Sequence, residues 1–298
     1  MKKILFSFTI TFLCLSFLSY GKIKVVTAYQ YIGDITRHVG GDLVTVEALA
    51  LGSHDPHFIT PKPSFIAKLR QADLLIINGG QLEIGWLPPV IQQSNNPGIE
   101  PGAKGFLSLI DYIQPINVQN EVSRAQGDVH PEGNPHIQLD PYNIPVFAKA
   151  IADKLGQLDR KNSATYQKNY QTFNDKWQQK LTVWDKVLKG LKGVKVVEYH
   201  KIYDYLFHRY QIELAGTLEP LPGIPPATKH IVAIITMMKE QNVHLILQDV
   251  YHSSKTAAYV AQQTGAKWVM IPHDIGAVPA VHDIFSLFDE LVQRLTTK

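Results

Sequence analysis

The chain reads as an α/β protein built from two similar α/β lobes, each around a mostly parallel sheet, joined by one long backbone helix. Three observations predict this. Strand-like and helix-like segments alternate through the first half of the chain, and they alternate again through the second. That order is the mark of parallel sheets with helical crossovers. Between the halves, from Asp159 to about Leu191, runs a polar segment rich in Lys, Gln and aromatics with no Pro, and no Gly before Gly190. At a rise of about 1.5 Å per residue, roughly thirty helical residues reach about 45 Å, enough to cross a domain.

The chain opens with a charged Met1-Lys2-Lys3, then an apolar run from Ile4 to Leu18 broken only by Ser, Thr and one Cys. Ser19-Tyr20-Gly21 places small residues at the minus-three and minus-one positions of a cleavage site, so 1–21 reads as a cleaved secretory signal. The run is short for a membrane span of about 20 residues, and no second apolar segment follows it. Cys14 is the only cysteine, and Thr11-Phe12-Leu13 lacks the small residue a lipid-attachment site wants before it. The exported chain is therefore expected to carry no thiol, disulfide or lipid anchor, which suits a periplasmic compartment and excludes cysteine catalysis and thiolate metal sites. The formal charge of +3 falls to about +1 once Lys2 and Lys3 are removed. No basic block points to nucleic acid. The twelve histidines, all beyond the signal, are the compositional oddity.

A first lobe is expected over 22–144. Ile23 to Ala28 is β-rich, Tyr31 to Val39 has helical spacing, and Leu43 to Leu51 alternates. Pro63 to Arg70 is helical, and Leu74 to Ile77 is a short apolar strand before Asn78-Gly79-Gly80. The order continues through Trp86-Leu87-Pro88-Pro89, then blurs between Gln92 and Gly133, where Gly, Pro, Asn and polar residues crowd the chain. In Gly133 to Pro141 a histidine, His136, stands between two prolines, which disfavour helix in the residues before them. Ile137 and Leu139 alternate like a short buried strand, so His136 is expected in a stiff loop where that strand begins. A connecting region follows over 145–191. Pro145 to Leu158 forms a helix with Val146, Phe147, Ala150, Ile151 and Leu155 along one face, and the long helix comes next. The second lobe, 192–298, has strands at Val194–Val197, Val243–Gln248 and Lys267–Ile271. Its helices are expected at Ile202–Tyr210, Lys229–Gln241, Thr256–Thr264 and Ile284–Leu295, with a proline-rich loop from Glu219 to Pro226.

Two such lobes leave a cleft at the carboxyl ends of their strands, the usual ligand position in open sheets. The histidines gather there. His54 and His57, in Ser53-His54-Asp55-Pro56-His57, follow one strand, and His200 closes Val196-Val197-Glu198-Tyr199-His200 where a strand gives way to a helix. The partial positive charge of that helix N-terminus would favour the neutral, metal-binding imidazole. His273 follows the strand ending at Ile271. One loop histidine means little; several at strand ends in both lobes point to a metal.

Asp55-Pro56-His57 with Pro61-Lys62-Pro63-Ser64, the segment around His136, Tyr199-His200, and Thr264-Gly265-Ala266 before the last strand together resemble the metal-binding solute-binding proteins of ABC importers. This is the zinc and manganese group called cluster A-I, or the TroA-like family, and the resemblance covers essentially the whole exported chain. It implies two α/β lobes, a single backbone helix, little hinge motion, and one divalent transition metal between the lobes, held by three histidines and a fourth ligand. The histidines carry over to His57, His136 and His200. For the fourth position many relatives have an aspartate, two residues, then a small residue. Counting back from Gly276 puts His273 in that slot, with Asp274 one place later as the alternative. A fourth imidazole suits Zn²⁺, whereas a carboxylate leaves Mn²⁺ or Fe²⁺ more plausible. Gly127 to Glu132 is a short echo of the His/Asp-rich loop of zinc-binding relatives, with His130 an accessory ligand or a solvated loop residue. Glu219 is either a partner that fixes an imidazole tautomer or a plain loop carboxylate. The function expected is capture of the ion in the periplasm by a monomer and delivery to the permease in the inner membrane. The competing reading is a periplasmic zinc hydrolase with Glu198 or Asp274 as base, though no His-Glu-x-x-His helix is present. An adhesin is a third, with no residue to support it.

Overall fold

The computed structural model describes residues 21–118, 130–221 and 223–297. The expected signal segment and Cys14 lie outside the described residues, as does most of the Gly127–Glu132 echo. In the first lobe β1 (Ile23–Thr27), α1 (Gln30–Gly40), β2 (Val44–Ala48), α2 (Pro63–Arg70), β3 (Leu74–Ile77), α3 (Leu87–Ser94) and β4 (Phe106–Ser108) follow in order. The strands form one parallel sheet in the order β2-β1-β3-β4. Val25, Val26, Leu74, Leu75 and Ile76 are all buried, as strands covered on both faces require.

After α4 (Asn143–Leu158) and α5 (Ser163–Leu188), the second lobe adds β5 (Lys195–Glu198), α6 (Asp204–Tyr210), β6 (Glu213–Thr217), α7 (Thr228–Glu240), β7 (Leu245–Gln248), α8 (Lys255–Thr264), β8 (Lys267–Met270) and α9 (Ile284–Thr296). Its sheet, β6-β5-β7-β8, is again parallel and repeats the strand order of the first. Among the described residues no helix is long and apolar enough to cross a membrane.

The long helix is present. It is α5, 26 residues and so about 39 Å, with a 3-10 turn before it and another after it. Tyr166, Phe173, Trp177, Leu181, Trp184 and Leu188 form its buried stripe. Trp177 and Trp184 meet edge to face at 5.0 Å between ring centroids, and both pack on Phe288 of α9. The Trp177 indole N–H also donates to the Pro141 carbonyl at 2.8 Å, so the helix reaches the segment that carries His136.

That segment corrects one expectation. Ile137–Leu139 is a 3-10 turn, not a strand. Among the described residues no strand pairs with it, and its backbone is satisfied locally: the Ile137 and Leu139 N–H groups donate to the Pro135 and His136 carbonyls, and the Ile137 carbonyl accepts from Asn143 Nδ2 at 2.9 Å. Gln138 between the two apolar residues is buried as well, its Nε2 donating to the His273 carbonyl. Elsewhere the two lobes touch at Gly52. A Cβ built there would lie 1.9 Å from the Ile275 carbonyl oxygen, so only glycine lets the loop leading to His57 pass under the loop after β8.

Candidate metal centre

Three imidazoles converge where the carboxyl ends of the two sheets face one another. His57, His136 and His200 each offer a ring nitrogen, and these atoms all lie within 4.8 Å of one another. The His57 ring stands 5.2 Å from both of the others, which are 5.7 Å apart, all three edge to face. All three residues are buried.

Each ring is aimed by local chemistry. Asp55 closes a tight turn in which its Oδ1 accepts both the His57 backbone N–H at 3.0 Å and Nδ1 at 2.9 Å. With Nδ1 committed, Nε2 is left buried with no hydrogen-bond partner among the described residues. The turn is anchored through the Pro56 carbonyl, which accepts from the Tyr29 hydroxyl and the Trp86 indole. Burial raises the Asp55 carboxyl, but the hydrogen bond and charge of His57 outweigh it and leave its pKa below the usual value.

His136 follows Pro135, whose carbonyl accepts from the buried Asn78 amide at 2.8 Å. The His136 backbone N–H donates to Asn134 Oδ1, so a short turn fixes its Cα. Its Nδ1 is buried without a partner. Burial, then the charges of His57 and His200, push its pKa well below the ordinary histidine value. That keeps the ring neutral and ready for a metal.

His200 does not sit at a helix N-terminus as expected, because α6 begins only at Asp204. The first free N–H groups before that helix, at Ile202 and Tyr203, are instead accepted by Glu198 Oε2. What orients the His200 ring is Glu219, whose Oε2 lies 2.7 Å from Nδ1. The other oxygen of Glu219 lies 3.2 Å from His252 Nε2, and His252 Nδ1 lies 2.8 Å from Asp249. Burial opposes the Glu219 charge, but the bonds from His200 and His252 bring its pKa down to about 2. A carboxylate behind a metal-facing histidine fixes its tautomer and raises its basicity.

Asp274, the alternative fourth donor, is turned to the start of α1. Its two oxygens accept the backbone N–H groups of Gln30 and Tyr31 at the start of α1, at 3.1 and 2.8 Å, and that of Ile275 at 2.7 Å. His273 also lies outside the converging trio. Its ring packs edge to face on Tyr251 at 5.2 Å, with Nδ1 buried and unpartnered. Burial lowers its pKa to about 4 although Asp249 and Asp55 pull the other way. His130, by contrast, stands 5.3 Å from His57, ring to ring, rather than out in solvent. The histidine was visible in the sequence; its burial was not, because the Gly, Asp and Glu around it read as a solvated loop.

Neither candidate base of the hydrolytic reading faces the imidazoles. Glu198 is turned to the start of α6, and burial, then Asp204, hold its carboxyl well above the usual range. Asp274 is bound to α1 as described.

Comparison with known proteins agrees with this architecture. The chain is 24% identical over 249 residues to the metal ABC transporter substrate-binding lipoprotein SloC of Streptococcus mutans, covering 82% of this chain and 78% of that protein. It is 29% identical over 158 residues to the manganese ABC transporter substrate-binding lipoprotein PsaA of Streptococcus pneumoniae, about half of each chain at 52% and 48%. A crystal structure of ZnuA superposes with a TM-score of 0.76 at 22% identity, covering 92% of this chain and 98% of that one. The Mn-bound periplasmic metal binding protein from Candidatus Liberibacter asiaticus gives the same score, identity and coverage. At that identity the structures share the fold. The family model described as zinc-uptake complex component A periplasmic, ZnuA, matches residues 25–297, and the chain belongs to this family of extracytoplasmic metal-binding proteins of ABC transporters, which are solute-binding proteins and not enzymes.

Proposed function

We propose that this chain captures one divalent transition metal ion on His57, His136 and His200, with Zn²⁺ favoured over Mn²⁺ or Fe²⁺. It then hands the ion to the permease of an ABC importer in the inner membrane, acting as a periplasmic monomer released from its leader. The observation that carries the reading is the donor set: three buried imidazoles, converging within 4.8 Å, with no carboxylate among them. Imidazole suits zinc, whereas manganese and magnesium prefer carboxylate, carbonyl and water oxygens. PsaA, named as a manganese protein, shows that family membership alone leaves the metal open.

The test is titration of metal-free protein against a chelating competitor. It should bind one Zn²⁺ per chain with a Kd well below about 1 μM, a free energy beyond roughly −8 kcal/mol. Replacing His136 or His200 by Ala should weaken binding by at least the roughly 10–100-fold typical of losing an outer partner of a ligand. The same change at His208 or His244, both on the surface, should leave it nearly unaltered. Micromolar or weaker zinc binding would sink the importer reading. A submicromolar affinity for Mn²⁺ would overturn the metal preference.

A further inference from the structure

A fourth imidazole stands against the converging three. His57 is their hub, with the rings of His130, His136 and His200 at 5.3, 5.2 and 5.2 Å. The ring of His130 also lies close to the Gly80 main chain. Gly80 belongs to a tight turn in which Gly79, Gly80 and Gln81 all have positive φ, at 84°, 62° and 63°. That turn is itself fixed by the buried Glu83 carboxyl, which accepts the N–H groups of Asn78 and Gly79 at 2.8 and 3.2 Å. The Nε2 of His130 is buried and has no hydrogen-bond partner among the described residues. A buried polar atom left unpartnered costs free energy unless something bonds it, and the Nε2 of His57, within the trio, is in the same condition.

We infer that His130 supplies the fourth donor to the metal, so that the site closes from the first lobe. This rests on the reading of His57, His136 and His200 as metal ligands. His130 is not one of the three residues whose ring nitrogens lie within 4.8 Å of one another, but its ring stands 5.3 Å from that of His57, close enough for a bound ion to draw it in. Zinc in a closed site takes four ligands in a tetrahedron, with nitrogen at about 2.0–2.1 Å. The trio leaves one corner. His273, the residue that register would place there, is packed on Tyr251 and is not in ring contact with the hub. Asp274 is spent on α1. Four neutral nitrogens give a site with no anionic donor, which selects zinc over manganese more strongly than three imidazoles and a carboxylate would.

X-ray absorption at the zinc edge tests this directly on the full exported chain loaded with one equivalent of Zn²⁺. The wild type should show four imidazole nitrogens. His130→Ala should show three plus an oxygen, with zinc affinity lower by at least about 10-fold. Free imidazole added to the loaded variant should restore the fourth nitrogen, which separates a lost ligand from a damaged fold. Cobalt substitution gives a second readout, because the visible bands of tetrahedral Co²⁺ should change in His130→Ala and recover with imidazole. Four imidazoles persisting in His130→Ala, or the loss of one in His273→Ala alone, would overturn the inference. Failure of the underlying reading looks different: zinc would stay bound after His57, His136 and His200 are each replaced, or would not bind the wild type.

Discussion

At the scale of single residues, the site is set by what stands behind each ring. His136 is buried and His130 half-buried, both near other imidazoles, and desolvation first pushes their pKa values down, in the case of His130 to about 3. Both rings are therefore neutral in the folded metal-free protein at pH 6, where an unfolded histidine, near pH ~6.5, is mostly protonated. Two consequences follow with definite sign. On the proposed ligand set, zinc displaces few protons from these two rings near pH 6, so between pH 5.5 and 7 the slope of log affinity against pH should stay below three. A free set of three or four histidines would give three to four, and competition titrations across that window distinguish the cases. The same groups also make the metal-free fold acid-labile. The unfolded chain binds protons there that the folded one does not, so their contribution falls as pH drops from about 6.5 toward their folded pKa values. Denaturation midpoints should decline over that range. Asp274 gives a contrasting test: with its carboxylate capping α1 rather than facing the metal, Asp274→Ala should cost roughly 1–3 kcal/mol of stability in a urea melt. Its zinc affinity should stay within a few-fold of wild type. The trio was legible in the sequence because each member follows a strand or a proline that places it. The engagement of Asp274 with α1 and the placement of His130 against His57 were not, because they depend on which elements from distant parts of the chain come to meet them.

At the scale of elements, α5 ties the lobes through aromatic packing. Phe173 stacks on Trp177 at 5.8 Å, and Trp177 in turn meets Trp184, Phe285 and Phe288 at 5.0 to 5.3 Å. Because Phe285 and Phe288 lie on α9, the last helix of the chain returns to the connecting helix. The Ile284 N–H at the start of α9 reaches Asp34 of α1 at 3.0 Å. Trp177→Ala removes the centre of this cluster and the bond to Pro141, and should cost about 3–5 kcal/mol in a denaturant titration. Since Pro141 closes the segment carrying His136, the same variant should also weaken zinc binding, unlike a cavity of equal size elsewhere in the core. The helix itself was plain in the sequence from its length and lack of breakers. Two strands were harder to see. Phe106–Ser108 has only three residues, and Glu213–Thr217 contains Gly216 beside a register shift in its pairing with β5. Neither shows a hydrophobic period long enough to stand out.

At the scale of the whole molecule, the two lobes are pinned beside the metal site as well as at their backs. Asn134 is the central pin. Its Oδ1 holds the His136 backbone N–H at 2.8 Å, while its Nδ2 donates to the Lys201 carbonyl at 3.2 Å and to Asp204 Oδ2 at 3.0 Å. One side chain thus joins the backbone at His136 to the residue after His200. The Tyr205 hydroxyl adds a bond to the Asn134 carbonyl at 2.8 Å, and Arg209 grips Asp140 with Nε and Nη2. The candidate ligands from opposite lobes are therefore held within 4.8 Å of one another by the protein itself. Loading should change the overall dimensions in small-angle scattering very little. The pin can be tested by exchange of its partners. Asn134→Asp sets two buried carboxylates about 3 Å apart and loses the donor to Lys201, so stability and zinc affinity should both fall. Asp204→Asn alone should be milder, because a single amide oxygen at the Oδ2 position can still accept from both Asn134 and Asn117. Combined, the two changes restore a donor facing an acceptor across the same gap. Residues in one hydrogen-bond network typically couple by about 0.5–3 kcal/mol, so the double variant should recover a large part of what Asn134→Asp loses in both readouts. Strict additivity of the two changes would mean that Asn134 only fills space, and that the separation of His136 and His200 is set by the helix alone.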